Sequence, residues 1–293
     1  VSGTKSSGPE RGRHQRASGY GRRSGETMRE RPKKYYTIGS IAKACDVLEM
    51  LATKQSWDLA ELSRALKLPK TTVHRILLTF EDAGFVQQEQ RGGRYGLSHK
   101  LFSLGSQVLG HSSLLDVARP FCKELLAAFD ETVNVCLVSG IDMVIVDKQV
   151  TTQTLRPDNI VGASFPIFYS ASGKAFLAFS EEPYIEETLR KIRTDTWPPI
   201  SDQAYAAFLR ELEDVRKTGL GYDYEELFPG VRCIAVPVFD RSEKAVAAVS
   251  VTAPTTRLTR QTTEKIERAL LKTGRDISLR LGSNHPLFRS MAD

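Results

Sequence analysis

The 293-residue chain has little cysteine or histidine and no long apolar run. Its four cysteines, Cys45, Cys122, Cys136 and Cys233, form no CxxC pair. That spacing supports neither a zinc site nor a disulfide framework, and reduced thiols in a cytoplasmic protein are expected. The five histidines stand at 14, 74, 99, 111 and 285, so none lies between 112 and 284. Cys136 and Cys233 therefore have no histidine base in their own part of the chain, which argues against Cys–His catalysis. A GxSxG elbow is missing, so serine hydrolase chemistry has no support. Gly173-Lys174 is followed by Ala175 and has Phe168 where a Walker loop needs glycine, so it is not a P-loop. No stretch of about 18 apolar residues occurs, and no membrane-spanning helix is expected. The first residues are basic and polar, unlike the apolar core of a secretory signal. Nothing here points to an enzyme, a metal or a cofactor.

The chain does have an excess of positive charge, a formal +6. Its distribution matters more than its size. Residues 1–36 hold 10 Lys+Arg against 3 Asp+Glu, residues 37–100 hold 9 against 7, and residues 101–293 hold 22 against 25. The basic character is mostly that of an N-terminal tail rich in Gly, Ser and Arg. Such a composition cannot bury enough apolar surface to offset its ordering entropy, so 1–36 is expected to be disordered. Met28 is a candidate internal start. The tail could add salt-sensitive, sequence-independent affinity for nucleic acid.

Ordered structure is expected from Thr37. Ile41, Ala44, Leu48 and Leu51 recur at helical spacing over 40–53. Asp58 with Glu61 three residues on has the spacing of a capping box, and Leu59, Leu62 and Leu66 give that helix an inner face. After Lys67-Leu68-Pro69 a third helix is expected over 70–83, with Val73, Ile76, Leu77 and Phe80 inward and Gly84 ending it. Two short strands, Phe85-Val86 and Tyr95–Leu97, would flank a tip of Arg91-Gly92-Gly93-Arg94. This is the plan of a winged helix-turn-helix over 37–100. The third helix would present Lys70, Thr71, Thr72, His74 and Arg75 to base edges and phosphates, and Arg91 and Arg94 would place guanidinium groups on the backbone or in the minor groove. The same residues alone also allow a small helical packing domain with a solvated face.

Residues 101–131 read as a helical linker, with Pro120 expected to break or kink it. From 132 the period changes. Hairpins are expected around Ser139–Asp142 and Asp240–Glu243, and helices over 172–180, after Glu182-Pro183, after Ser201 and over 260–281. Ser201 would cap a long helix closed by Gly219. Strands and helices mix without regular alternation, so the fold class is α+β. A C-terminal tail is expected over 284–293.

Several segments resemble the IclR family of bacterial transcription regulators. They are Ile38–Ile41 into Ala44–Leu48, Leu68–Leu77, Gly93–Leu97, Ser170–Ala178, and Gly219–Val238 with its Gly-Tyr-Asp-Tyr-Glu-Glu-Leu-Phe-Pro-Gly run. The resemblance covers about 37–281. It implies a winged helix-turn-helix joined by a helix to a GAF-like effector-binding domain over 132–283. It further implies a homodimer, or a dimer of dimers, on palindromic double-stranded operator DNA. The expected role is repressor of a catabolic operon answering to a small organic or aromatic acid, with activation as the alternative within the family. A GAF-like sensor or enzyme with an incidental helical domain is the reading from another class. In members with small-acid effectors the pocket maps here onto Gly162, Ala163, Asp223, Cys233, Ser250 and Thr252.

The residues agree in outline. Gly162-Ala163 would offer backbone N–H groups to a carboxylate. Ser250 and Thr252 alternate with Val249 and Val251, so both hydroxyls face one side of a strand. Asp223 would accept from a ligand hydroxyl or cap a loop, and Cys233 would be a ligand contact or a small buried hydrophobe. Phe165, Phe168 and Tyr169 stand where smaller residues are common in the family, and read as core or as the wall of a roomier pocket. Glu225 and Glu226 read as surface or loop-anchoring groups.

Overall fold

The computed structural model describes residues 38–88, 93–110, 113–195 and 200–289. The basic tail over 1–36 and Arg91 of the wing tip lie outside them. The chain divides into two units between Ser112 and Ser113.

The first unit opens with α1 (Gly39–Leu51), α2 (Leu59–Leu66) and α3 (Lys70–Asp82). The capping box starts α2: the Asp58 carboxylate accepts from the backbone of Ala60 and Glu61, and Glu61 accepts from Asp58 N–H. Lys67 ends α2 in the left-handed region at φ 53°, which turns the chain into α3. Val47, Leu51, Leu62, Val73 and Leu77 form the core with Val86 and Tyr95. Gly84, at φ +77°, stops α3 at the residue expected, since a β-carbon is disfavoured in that conformation. Strands β1 (Val86–Gln88) and β2 (Tyr95–Leu97) pair antiparallel, and Trp57 exchanges two backbone hydrogen bonds with Tyr95. The unit closes with α4 (His99–Gly110).

In the second unit, β3 (Thr132–Ser139), β4 (Asp142–Gln149), β5 (Ser164–Pro166), β6 (Gly221–Tyr224), β7 (Val231–Phe239) and β8 (Ala245–Pro254) form one antiparallel sheet. Its order is β5-β4-β3-β8-β7-β6. Directly opposed residues share a face. One face carries Val133, Val135, Ile234, Val236, Val249 and Val251, and packs on α5 (Ser113–Phe129) and α9 (Arg260–Arg280). The other packs on α6 (Ala171–Leu177), beyond which lie α7 (Glu182–Asp195) and α8 (Asp202–Thr218).

Every residue of α6 is buried. The small residues of this segment let backbone meet backbone. A β-carbon on Gly173 would lie 2.4 Å from Ile167 Cα, and one on Gly221 would lie 2.3 Å from the Ala171 carbonyl oxygen. Ser170 caps α6, Ser201 caps α8 and Gly219 closes α8 at φ 75°.

Three expectations need correction. Pro120 does not interrupt its helix, because α5 runs through it to Phe129. Pro120 is exposed, so the carbonyl deprived of its partner can be hydrated. Nor is 101–131 a single connector. Its second half belongs to the sheet unit, where Leu114, Leu115, Ala118, Cys122 and Leu125 are buried. Residues 284–289 are packed and not a tail: α10 (Pro286–Arg289) buries Leu287 and Phe288, and the His285 ring stacks on Phe239 at 3.7 Å.

Candidate functional site

In the first unit the candidate site is the outer face of α3. Lys70, Thr71, His74 and Arg75 are exposed and Thr72 is half-buried, while Val73 and Leu77 are fully buried. The stretch 70–80 holds no carboxylate. Pro69 caps α3 without a side-chain hydrogen bond, so the Lys70 and Thr71 N–H groups keep free donor capacity, while that of Thr72 donates to the Pro69 carbonyl. Thr79 turns its hydroxyl back onto the Arg75 carbonyl at 2.8 Å.

Arg94 departs from the expectation of a free wing guanidinium. Its Nε donates to Ser56 Oγ at 3.0 Å, and its Nη2 donates to the Ser56 carbonyl at 3.1 Å and to Glu61 Oε2 at 3.0 Å. Lys54 adds a second cation to Glu61 at 3.0 Å. The Lys54 hydrogen bond is foremost in holding the Glu61 carboxyl down to about 2. Arg94 thus ties β2 to the start of α2. The sequence shows its charge but not the acceptors that occupy it.

In the second unit the candidate site is the α6 face of the sheet. Register aligns Asp223 with Cys233, Cys233 with Thr252, Thr252 with Thr132, and Ser250 with Asn134. These polar side chains therefore line one face across four strands. Asp223, Thr252, Thr132, Ser250 and Asn134 are all buried. Asn134 Nδ2 donates to Thr252 Oγ1 at 3.2 Å, and Thr252 Oγ1 lies 3.2 Å from Cys233 Sγ. Asp223 and Cys233 lie close enough to influence each other's ionisation, and Cys136, on the same face, lies close to Ser172 of α6 and Ser250. Two atoms of the row have no partner: Asn134 Oδ1 and Thr132 Oγ1.

Burial pushes the Asp223 carboxyl up to about 6. Its Oδ1 accepts from Glu226 N–H at 2.7 Å, so it caps the turn that follows β6. Burial also raises both thiols, Cys136 to about 11 and Cys233 further, with Asp223 adding to the rise in Cys233. Neither is a thiolate near neutral pH.

Gly162 and Ala163 do not present free N–H groups. Gly162 N–H donates to the Ile145 carbonyl at 2.7 Å and Ala163 N–H to the Ile160 carbonyl at 3.0 Å. They pin the 158–163 loop along β4, and Gly162 takes φ +89° to do so. Phe168 is core, 4.6 Å centroid to centroid from Phe208 of α8. Phe165 is different. It sits on β5, at one edge of the sheet, yet its ring lies 6.1 Å from Phe228, just beyond β6 at the other edge. Segments from both edges therefore meet over the polar face.

Lys174 supports this arrangement from α6. It is 1% exposed and donates to the Tyr222 carbonyl at 2.9 Å, with Glu226 Oε1 at 2.5 Å and Glu211 Oε2 at 2.7 Å. Glu225 accepts from Gly230 N–H at 2.8 Å. Both glutamates anchor the loop after β6, as expected. Sequence reading missed Thr132, Asn134, Cys136, Ser172 and Lys174. The signal for the first three was present: they alternate with Val133 and Val135.

A helix-turn-helix with an exposed basic third helix, followed by an α+β unit whose sheet buries a row of polar groups, defines a ligand-responsive DNA-binding regulator. The family comparisons agree. Residues 40–90 match the model for the IclR helix-turn-helix domain, and residues 106–279 match that for the bacterial transcriptional regulator IclR C-terminal domain. The chain belongs to the IclR family. It is 30% identical over 246 residues to the HTH-type transcriptional regulator KdgR of Escherichia coli, covering 84% of this chain and 94% of that one. It is 28% identical over 248 residues to the Escherichia coli transcriptional repressor IclR, covering 84% and 90%. The crystal structure of the Thermotoga maritima IclR superposes with a TM-score of 0.66 at 27% identity, covering 84% and 100%.

Proposed function

We propose that this chain represses a catabolic operon and is released by a small organic or aromatic acid bound on the α6 face of its sheet. The observation that carries the effector reading is the buried polar row of Asp223, Cys233, Thr252, Ser250 and Asn134, with Asn134 Oδ1 and Thr132 Oγ1 left without partners. Unmet buried polar atoms cost roughly 1–3 kcal/mol each, and a ligand that satisfies them recovers that cost. The curated relative named a repressor supports the sign of regulation.

On the DNA side, Lys70, Thr71, Thr72, His74 and Arg75 read the operator from α3. Arg91 adds a phosphate contact from the wing, and Arg94 braces the hairpin that carries it. Two copies, as a dimer or within a dimer of dimers, read half-sites about one helical turn, roughly 34 Å, apart. The effector shifts the population of dimer arrangements by binding one better than the other. No described helix is long and apolar enough to cross a membrane.

The test is a mobility-shift titration on the DNA upstream of the chain's own gene. Arg75→Ala is expected to weaken binding by about tenfold or more, the usual effect of losing one base-edge or phosphate contact. Unchanged affinity in a folded Arg75→Ala protein would remove α3 as the reading helix. Release of the DNA by a member of a carboxylic-acid panel supports the effector reading, and failure of every acid in the panel counts against it.

A further inference from the structure

The polar row continues one strand beyond the residues already considered. Asn134 on β3 lies opposite Lys148 on β4. A bulge at Val146 of β4 sets this pairing, because the consecutive residues Val135 and Cys136 of β3 face Asp147 and Ile145. Ile145 and Lys148, three residues apart, therefore lie on the α6 face, and Asp147 lies on the opposite one. There Asp147 accepts from Arg119 Nε of α5 at 3.0 Å, which confirms the assignment of faces.

Lys148 is half-buried, and its ammonium donates to the Asn159 carbonyl of the 158–163 loop. That uses one of three donors. No described carboxylate lies within ion-pair distance of it; burial lowers its proton affinity, with Asp158 raising it and Arg156 lowering it from farther away. At the next position in the row, Asn134 sends its amide N–H to Thr252 and keeps Oδ1 unmatched. Thr252 Oγ1 accepts from Asn134 and lies 3.2 Å from Cys233 Sγ. Asn134 Oδ1 is thus an unmatched buried acceptor, and the residue registered beside it on the next strand is Lys148.

From this juxtaposition we infer that Lys148 and Asn134 select a hydroxycarboxylic acid, with the ligand carboxylate on Lys148 and its hydroxyl donating to Asn134 Oδ1. The inference rests on the effector reading above and adds the class of acid. The two side chains are rooted on neighbouring strands about 4.8 Å apart, and the acids that match them best carry the hydroxyl near the carboxylate, as 2- and 3-hydroxy acids do. A simple carboxylate leaves Asn134 Oδ1 unmet, and a diol leaves Lys148 without its anion.

The experiment is calorimetric titration of the full chain with lactate, 3-hydroxybutyrate and gluconate, each against a control without the hydroxyl: propionate, butyrate and hexanoate. At least one hydroxy acid is expected to bind at least tenfold more tightly than its control. Lys148→Met should weaken that hydroxy acid at least tenfold, with Lys148→Arg recovering part of the loss. Thermal unfolding without ligand confirms that both variants fold. An acid that binds equally with and without its hydroxyl, or equally to wild type and Lys148→Met, overturns this inference and leaves the effector reading standing. If none of the six acids binds, this inference falls, and the effector reading stands or falls with the wider carboxylic-acid panel.

Discussion

Replacing Lys174 with methionine tests what holds the roof of the polar face in place. The substitution keeps the length and most of the volume of the side chain and removes only the ammonium. Three acceptors lose their partner: the Tyr222 carbonyl, Glu226 and Glu211. Breaking a buried ion pair typically costs about 3–5 kcal/mol, because the remaining charge is left uncompensated. The Glu211 side chain is 47% exposed and can rehydrate, whereas that of Glu226 is 28% exposed and cannot fully. The loss should therefore fall near the lower end, about 3 kcal/mol at pH 8. With a urea slope near 3 kcal/mol/M, that lowers the unfolding midpoint by about 1 M.

The same substitution has a pH signature. Burial raises Glu226 to about 7 and Asp223 to about 6, against ordinary values of 4.5 and 3.8. Folding thus binds protons that the unfolded chain has released. The associated stability is present below the ordinary carboxylate range and is lost as pH rises through 6 to 7. Lys174 lowers both groups, so without it they rise further and the loss with pH steepens. The deficit of Lys174→Met relative to wild type should grow from pH 5 to pH 8. Urea unfolding followed by circular dichroism at the two pH values measures it. An equal deficit at both, or none at pH 8, would refute the claim that the ammonium compensates these carboxylates.

Two further substitutions probe packing and the wing. Gly221→Ala would place a β-carbon 2.3 Å from the Ala171 carbonyl oxygen and 2.9 Å from Ala175 N, and should cost about 1–3 kcal/mol by forcing α6 off β6. A thermal midpoint unchanged within error would mean that α6 yields freely. Arg94→Ala should lower the melting point of the helix-turn-helix unit, followed through Trp57 fluorescence. The salt dependence of DNA binding should stay the same, because that guanidinium is committed to Ser56 and Glu61. A log–log salt slope reduced by about 1 would instead return Arg94 to the phosphate backbone.

Local signals were legible wherever one residue type has one strong local use. Asp58 with Glu61, Ser201 with Gly219, and Gly84 after Phe80 each mark a helix end, and each does so in the structure. Apolar spacing located the cores of α1 to α3. It was less informative where tertiary context decides. Pro120 reads as a breaker, yet its helix is held by buried Ala118 and Cys122 on one side while the proline faces water on the other. Leu287 and Phe288 read as part of a tail, yet both are buried, Phe288 against Phe239. Arg94 and Arg75 are indistinguishable as letters. Only the acceptors around Arg94 separate a brace from an exposed arginine.

The candidate effector site divides along the same line. Ser250, Thr252, Cys233 and Asp223 stood out because each belongs to an alternating strand or a recognisable motif. Lys148 could not be found that way, since alternation along β4 leads to the opposite residue. Met143 and Ile145 face α6, so a regular strand would continue with Asp147 and bring a carboxylate to the polar row. The bulge inserts Val146 into β4, sends Asp147 to Arg119 on the other side and turns Lys148 toward the α6 face. One residue of register thus changes the sign of the charge at this end of the polar row. On the inference drawn above, a regular strand would favour a cationic effector there and the bulged strand an anionic one.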